Sequence, residues 1–149
     1  PKPTTLTEKI MAQSAGLAEV VPGQMITAKI GLAYTMDTLG KIVFDHLKSA
    51  GAARVFDPEK VIVVFDHFAP ATDVNYANLH NEVRRLAKQY NVRIFDIGNQ
   101  GIMHHVAAEE GYLVPGIIAI ATDSHALTGG ALGAVVLGMG ATDAAMAIT

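Results

Sequence analysis

The chain has 149 residues, half of them hydrophobic and only 17% charged, with a formal net charge of −3 and a pI near 6.0. Net acidity without a basic run argues against nucleic acid or an anionic membrane as partner; the densest basic spot, Arg84-Arg85 with Lys88, fits one solvated helix face. The absence of cysteine excludes disulfides, a thiol nucleophile and thiolate metal ligands from this chain, and it suits a cytoplasmic protein.

The length suits one α/β domain over residues 1–149 with a real core. The mean hydropathy of +0.31 leaves two explanations. One is a tightly packed domain rich in Ala and Val. The other is a surface covered by more chain or by a partner subunit. The longest charge-free apolar stretch, Gly129 to Ala141, is too short for a bilayer span of about 20 residues. No signal peptide is visible, and a start at Pro1 without Met reads as a processed or cut end.

In chain order, Thr5 followed three residues later by Glu8 is a capping box that opens a helix over Leu6 to Ala15, closed by Gly16. Val20 to Gly23 is a turn. Loose alternation over Met25 to Ala33 predicts a strand. Tyr34 to Leu39 is expected to be a connection, with Asp37 able to cap a helix over Gly40 to Ala50. Asp57 to Lys60 turns into the apolar run Val61 to Phe65. After a loop over Pro70 to Val74, Leu79, Val83, Leu86 and Tyr90 mark a helix from Asn75 to Tyr90. A second run, Arg93 to Ile97, leads into Gly98-Asn99-Gln100-Gly101. A short helix is expected over His104 to Gly111, then a third run over Ile117 to Thr122. Leu132 to Leu137 and Thr142 to Ala147 read as short, closely packed helices. The alternation of strands and helices predicts parallel strands with right-handed crossovers.

Each of the three apolar runs stops at a histidine-bearing polar cluster: Asp66-His67, then His104-His105 just past Gly98 to Gly101, then Asp123-Ser124-His125. Ligands in open α/β sheets bind beyond the carboxyl ends of the strands. A carboxylate beside histidine can fix its tautomer and favour the imidazolium, which makes a proton donor. The bland reading of Asp66-His67 is a polar turn after a strand. Adjacent His104 and His105 point in different directions, so one at most faces a cleft. A Ser-His-Asp hydrolase is a poor reading of Asp123-Ser124-His125, because triad members act through space and no Gly-x-Ser-x-Gly surrounds Ser124. A polar turn that caps the next helix, or one that binds an anion, fits better. His46 and His80 read as surface or satisfied core residues. No His-x-x-x-His occurs, and no metal ligand is assigned.

Asp123-Ser124-His125, Thr128 to Ala134 and Gly138-Met139-Gly140-Ala141-Thr142-Asp143 together resemble the signature of the aconitase superfamily. Leu6 to Ile10, the Val20 to Gly23 turn, Phe65-Asp66-His67, Gly101-Ile102-Met103-His104 and Val114-Pro115-Gly116 match in order and spacing. The resemblance runs along essentially the whole chain and points to the large (iron–sulfur) subunits of the 3-isopropylmalate dehydratase and homoaconitase type. It implies a three-layer α/β/α domain with a mainly parallel sheet, forming the N-terminal part of a longer subunit. It implies an isomerase-type hydro-lyase of amino-acid biosynthesis acting on a hydroxy di- or tricarboxylic acid. By motif position it assigns Asp66, His67, His104, Asp123 and His125 as catalytic and Ser124 as substrate-binding. It further implies a [4Fe–4S] cluster whose cysteine ligands this chain lacks, a small-subunit partner, and inactivity of this chain alone. Two departures bear on substrate: Ala126 stands where the family usually has Thr, and Met36 where many large subunits carry His before the acid. Two rivals remain: a stand-alone carboxylate-binding module, and a His/Asp metal hydrolase using His67, His104 and His125.

Overall fold

The computed structural model describes residues 3–99 and 101–149; Pro1, Lys2 and Gln100 lie outside the described residues. Helix α1 spans Leu6–Ala15. The capping box forms as read: Thr5 Oγ1 accepts from the Glu8 N–H at 3.2 Å, and Glu8 accepts from the Thr5 N–H at 2.6 Å. Gly16 closes the helix at φ 68°, a left-handed conformation that glycine adopts without steric cost.

Strand β1 is Leu32–Met36, not the predicted Met25 to Ala33. The predicted segment is mostly irregular and exposed, with Met25 94% accessible. The true strand shows no alternation because it is buried on both faces, as central parallel strands are. Leu32, Tyr34 and Met36 enter one core and Ala33 the other. The predicted connection over Tyr34 to Leu39 does not exist: β1 runs directly into helix α2, Asp37–Ser49. Strand β2 (Val61–Val64), helix α3 (Val74–Gln89), strand β3 (Arg93–Phe95), helix α4 (Met103–Glu109) and strand β4 (Ile118–Ala121) follow, close to the bounds read from sequence. A 3-10 helix covers Ser124–Leu132. Val135–Gly138 is strand β5, not the expected helix over Leu132 to Leu137. Gly133, at φ 74°, ends the 3-10 helix, and the β-branched pair Val135-Val136 then lies along β4. Helix α5, Ala141–Ala147, agrees with expectation.

All five strands are parallel, in the order β3-β2-β1-β4-β5. Helices α2, α3 and α5 pack on one face, around Phe44, Leu47, Val83, Leu86, Ala145 and Ile148. Helix α4 and the 3-10 helix pack on the other, through Met103, Val106, Ala107 and Ala126. The fold is therefore the expected three-layer α/β/α arrangement. No helix among the described residues is long and apolar enough to cross a membrane. The chain winds outward from β1 through β2 to β3, then returns to β4 on β1's other side. That reversal places a crevice between the carboxyl ends of β1 and β4.

Candidate active site

Met36 and Asp37 leave the end of β1, and Thr122 and Asp123 leave the end of β4. The buried hydroxyls of Thr35 and Thr122 hydrogen-bond at 2.7 Å and join the two strands just below the crevice. Asp123 caps the 3-10 helix, its Oδ1 accepting from the His125 N–H at 2.7 Å. The same oxygen lies 2.9 Å from His104 Nε2 and 3.3 Å from His125 Nδ1. His104 comes from α4, across the crevice, and its Nδ1 lies 3.2 Å from the Tyr34 hydroxyl. Burial works against the Asp123 carboxylate, but the His125 N–H, the His104 hydrogen bond and the two imidazoles outweigh it, so its pKa falls below the ordinary value. Tyr34 is pushed up to about 12, first by burial and then by the charge on Asp123.

A second corner forms at the end of β2. Asp66 Oδ1 pairs with His67 Nδ1, and Asp66 Oδ2 accepts from the Met103 N–H at 2.8 Å. Met103 immediately precedes His104, so the first turn of α4 links the two corners. The Asp66 side chain is largely buried, whereas that of His67 is 44% exposed. Behind this pair Asp37 is fully buried. It is not the helix cap that sequence suggested. Its Oδ1 accepts from the Thr38 N–H at 2.9 Å; its Oδ2 accepts from the Phe68 N–H at 2.8 Å and lies 3.3 Å from His80 Nε2. His80 is buried on α3 with its ring 4.4 Å from that of Phe65. It is thus a satisfied core histidine. On the outer side of this corner Arg84 holds Asp96 through bonds of 2.5 and 2.8 Å.

Asp66, His67, His104, Asp123 and His125 therefore all lie along the carboxyl edge of one sheet. Ser124 is there too, exposed, beside a groove of about 490 Å³ lined by Leu127, Leu137, Met139 and Gly140. His104 faces the crevice while His105 is exposed, so one member of that pair faces inward. Among the described residues the trio of the metal-hydrolase reading, His67, His104 and His125, does not form a donor cluster. Among the described residues the group whose ligand atoms lie within 4.8 Å of one another is Asp37, Asp66 and His67. Tyr34, Asp37 and His80 were missed as parts of the site. A mainly apolar run, Leu32 to Met36, that ends in the acid Asp37 was the signal for Asp37. Nothing local marked Tyr34 or His80.

The aconitase family profile, described as aconitate hydratase, matches residues 8–149. The chain is 42% identical over 144 residues to the 3-isopropylmalate dehydratase large subunit of Aquifex aeolicus, covering 97% of this chain and 33% of that protein. The corresponding subunit of Moorella thermoacetica is 43% identical over 145 residues, with 97% and 34% covered. A probable methanogen homoaconitase large subunit of Methanothermobacter thermautotrophicus is 41% identical over 145 residues, with 95% and 34% covered. The chain thus spans about a third of the length of these relatives. With a parallel α/β sheet, acids and imidazoles gathered at its carboxyl edge, and a match that runs from Glu8 to the last residue, this chain belongs to the aconitase family.

Proposed function

We propose that the chain is a single α/β domain, the N-terminal portion of a cytoplasmic hydro-lyase large subunit that works with a small subunit. The substrate class is a hydroxy di- or tricarboxylic acid, such as 3-isopropylmalate or homocitrate. The observation that supports this best is the joining of two carboxylate–imidazole pairs through consecutive residues: Asp66 accepts from the Met103 N–H, and His104 bonds Asp123.

Dehydration of a hydroxy acid removes a proton from carbon and requires a proton for the departing oxygen. His67 is built to supply that second proton. Its Nδ1 is held by Asp66, while its half-exposed ring leaves Nε2 for a bound hydroxyl. Asp66 stabilises the imidazolium before transfer and receives the neutral ring after it. In hydration the same nitrogen takes the proton back. Asp123, His104 and His125 form the second acid–imidazole group, and Ser124 lines the substrate side.

The edge bears four carboxylates, Asp37, Asp66, Asp96 and Asp123, and its guanidinium, Arg84, is committed to Asp96. Apart from the imidazoles, the described residues thus offer an anionic substrate no uncommitted guanidinium at this edge, and further cationic partners would come from outside this chain. Family membership implies a [4Fe–4S] cluster, but the residues here do not fit one. The chain has no cysteine, and its clustered donors are carboxylate oxygens and imidazole nitrogen.

In the intact enzyme with its small subunit, His67→Gln should lower kcat by roughly 10²- to 10⁴-fold, the range of general acid catalysis, with KM little changed. A variant that turns over at the parent rate would overturn the role. Dehydration of 3-isopropylmalate or homocitrate by the 149-residue chain alone would overturn the division of labour.

A further inference from the structure

We propose that Tyr34 is a positioning residue of this site: its hydroxyl holds His104 as the neutral tautomer that donates from Nε2 to Asp123, leaving His125 as the imidazole of that trio with a nitrogen free for substrate. The inference rests on the hydro-lyase reading above and refines it by moving the reactive nitrogen away from His104.

The donors and acceptors allow little else. An ionised carboxylate only accepts, so the 2.9 Å contact between His104 Nε2 and Asp123 Oδ1 puts the ring proton on Nε2. Nδ1 then either is bare and accepts from Tyr34, or carries a second proton. The Tyr34 side chain is almost wholly buried, and among the described residues its hydroxyl meets a single partner, His104 Nδ1, at 3.2 Å. A proton on Nδ1 would leave the tyrosine O–H buried without an acceptor, which native structures rarely tolerate. The bare Nδ1 satisfies both groups. A hydroxyl pushed up to about 12 stays protonated at any working pH, so the donor is always present.

The rings meet edge to face, with centroids 5.8 Å apart at 85°, and this contact limits rotation of the imidazole. Both ring nitrogens of His104 are thereby committed. His125 differs: Asp123 Oδ1 lies 3.3 Å from its Nδ1, its side chain is 83% exposed, and its Nε2 is open to a ligand. Tyr34 faces α4 because it shares a strand face with Leu32 and Met36, two residues away on either side.

The test uses the intact protein with its small subunit, labelled with ¹⁵N-histidine, and long-range ¹H–¹⁵N correlation to read each tautomer. The His104 signal is assigned by its loss in His104→Gln. The expected result is an Nε2–H, bare-Nδ1 ring in the parent and loss of that single tautomer in Tyr34→Phe. In turnover, His104→Gln, whose amide N–H can replace the Nε2 donor, should lose about tenfold in kcat. A group that hands over a proton would lose about 10²- to 10⁴-fold. A proton on His104 Nδ1 in the parent, or a loss beyond about 10²-fold in His104→Gln, would overturn the proposal. Absence of dehydratase turnover in the parent would sink the hydro-lyase reading instead, since the tautomer is read without turnover.

Discussion

Asp66 and Asp123 leave the same edge of one sheet, yet they hold their imidazoles in opposite ways. Asp66 grips its own neighbour, His67, and the ring remains half exposed. Asp123 grips His104, nineteen residues away on a helix, and a tyrosine from a third element closes the other side of that ring. The local pair needs only a turn after a strand. The remote pair needs β1, β4 and α4 packed in register. The first leaves a nitrogen available; the second spends both. On the hydro-lyase reading proposed above, of these two rings that of His67 is placed for exchange with substrate and that of His104 is held fixed.

The sharpest way to break this contrast is Asp123→Ala, which removes the acceptor shared by His104, the His125 N–H and the His125 ring. If the intact protein is the hydro-lyase proposed above, its kcat should fall by about 10³-fold. Near-parent turnover would mean that the fixed corner is not needed. Next is Asp37→Ala, behind the exposed corner. It leaves the Phe68 N–H and the His80 nitrogen buried without their acceptor, at about 1–3 kcal/mol for each orphaned group. We expect a loss of about 3 kcal/mol in urea unfolding, with Asp37→Asn recovering part of it because its amide oxygen still accepts from Phe68. A loss indistinguishable from zero would show that the corner does not depend on its buried support.

Gly138→Ala probes the fixed corner through its backbone. A Cβ at Gly138 would lie 2.6 Å from the Asp123 carbonyl oxygen, closer than atoms approach, so β5 or the Asp123 turn must move. The cost should be about 2 kcal/mol, typical of overpacking, measured by thermal unfolding. The smallest effect belongs to Asp96, on the outer rim. The Arg84 guanidinium, more than the Ile97 N–H, holds its carboxyl below the ordinary value. Both side chains are over a third exposed, so Asp96→Asn should cost under about 1 kcal/mol near neutrality. The unfolded chain takes up the proton first on acidification. The pair's contribution is therefore complete above the ordinary carboxylate pKa of about 3.9 and is lost as pH falls through the lower folded value. Stability of parent and variant should converge at low pH; a gap that widens on acidification would reverse the sign.

Much of this was legible in the sequence for physical reasons that also explain the failures. Helix α3 showed its apolar stripe because one face is solvated, and α1 showed its capping box because caps are local. Strand β1 was misplaced because burial on both faces erases the alternation that identifies half-exposed strands, while the exposed stretch before it happened to alternate. Strand β5 was hidden among small residues that suit close-packed helices equally well. The candidate acids and histidines stood out because runs that end in Asp and His are conspicuous. Tyr34 did not, because its importance depends on a helix nearly seventy residues later, and no local pattern encodes that meeting. His80 was read as either a surface or a satisfied core residue; it is the latter, and its partner Asp37 is defined only once α2 and α3 pack together.

Strand β1 also serves as the molecule's gauge. Tyr34 sits on a rod clamped by neighbours on both sides, Asp37 is the first residue past its end, and each reaches one corner. Adding or deleting a single amino acid within the strand would turn every side chain on one side of the change to the opposite layer. The Tyr34 contact to His104 and the Asp37 contacts to Phe68 and His80 could then no longer form together. The spacing from Leu32 to Asp37 is therefore the length on which both contacts depend.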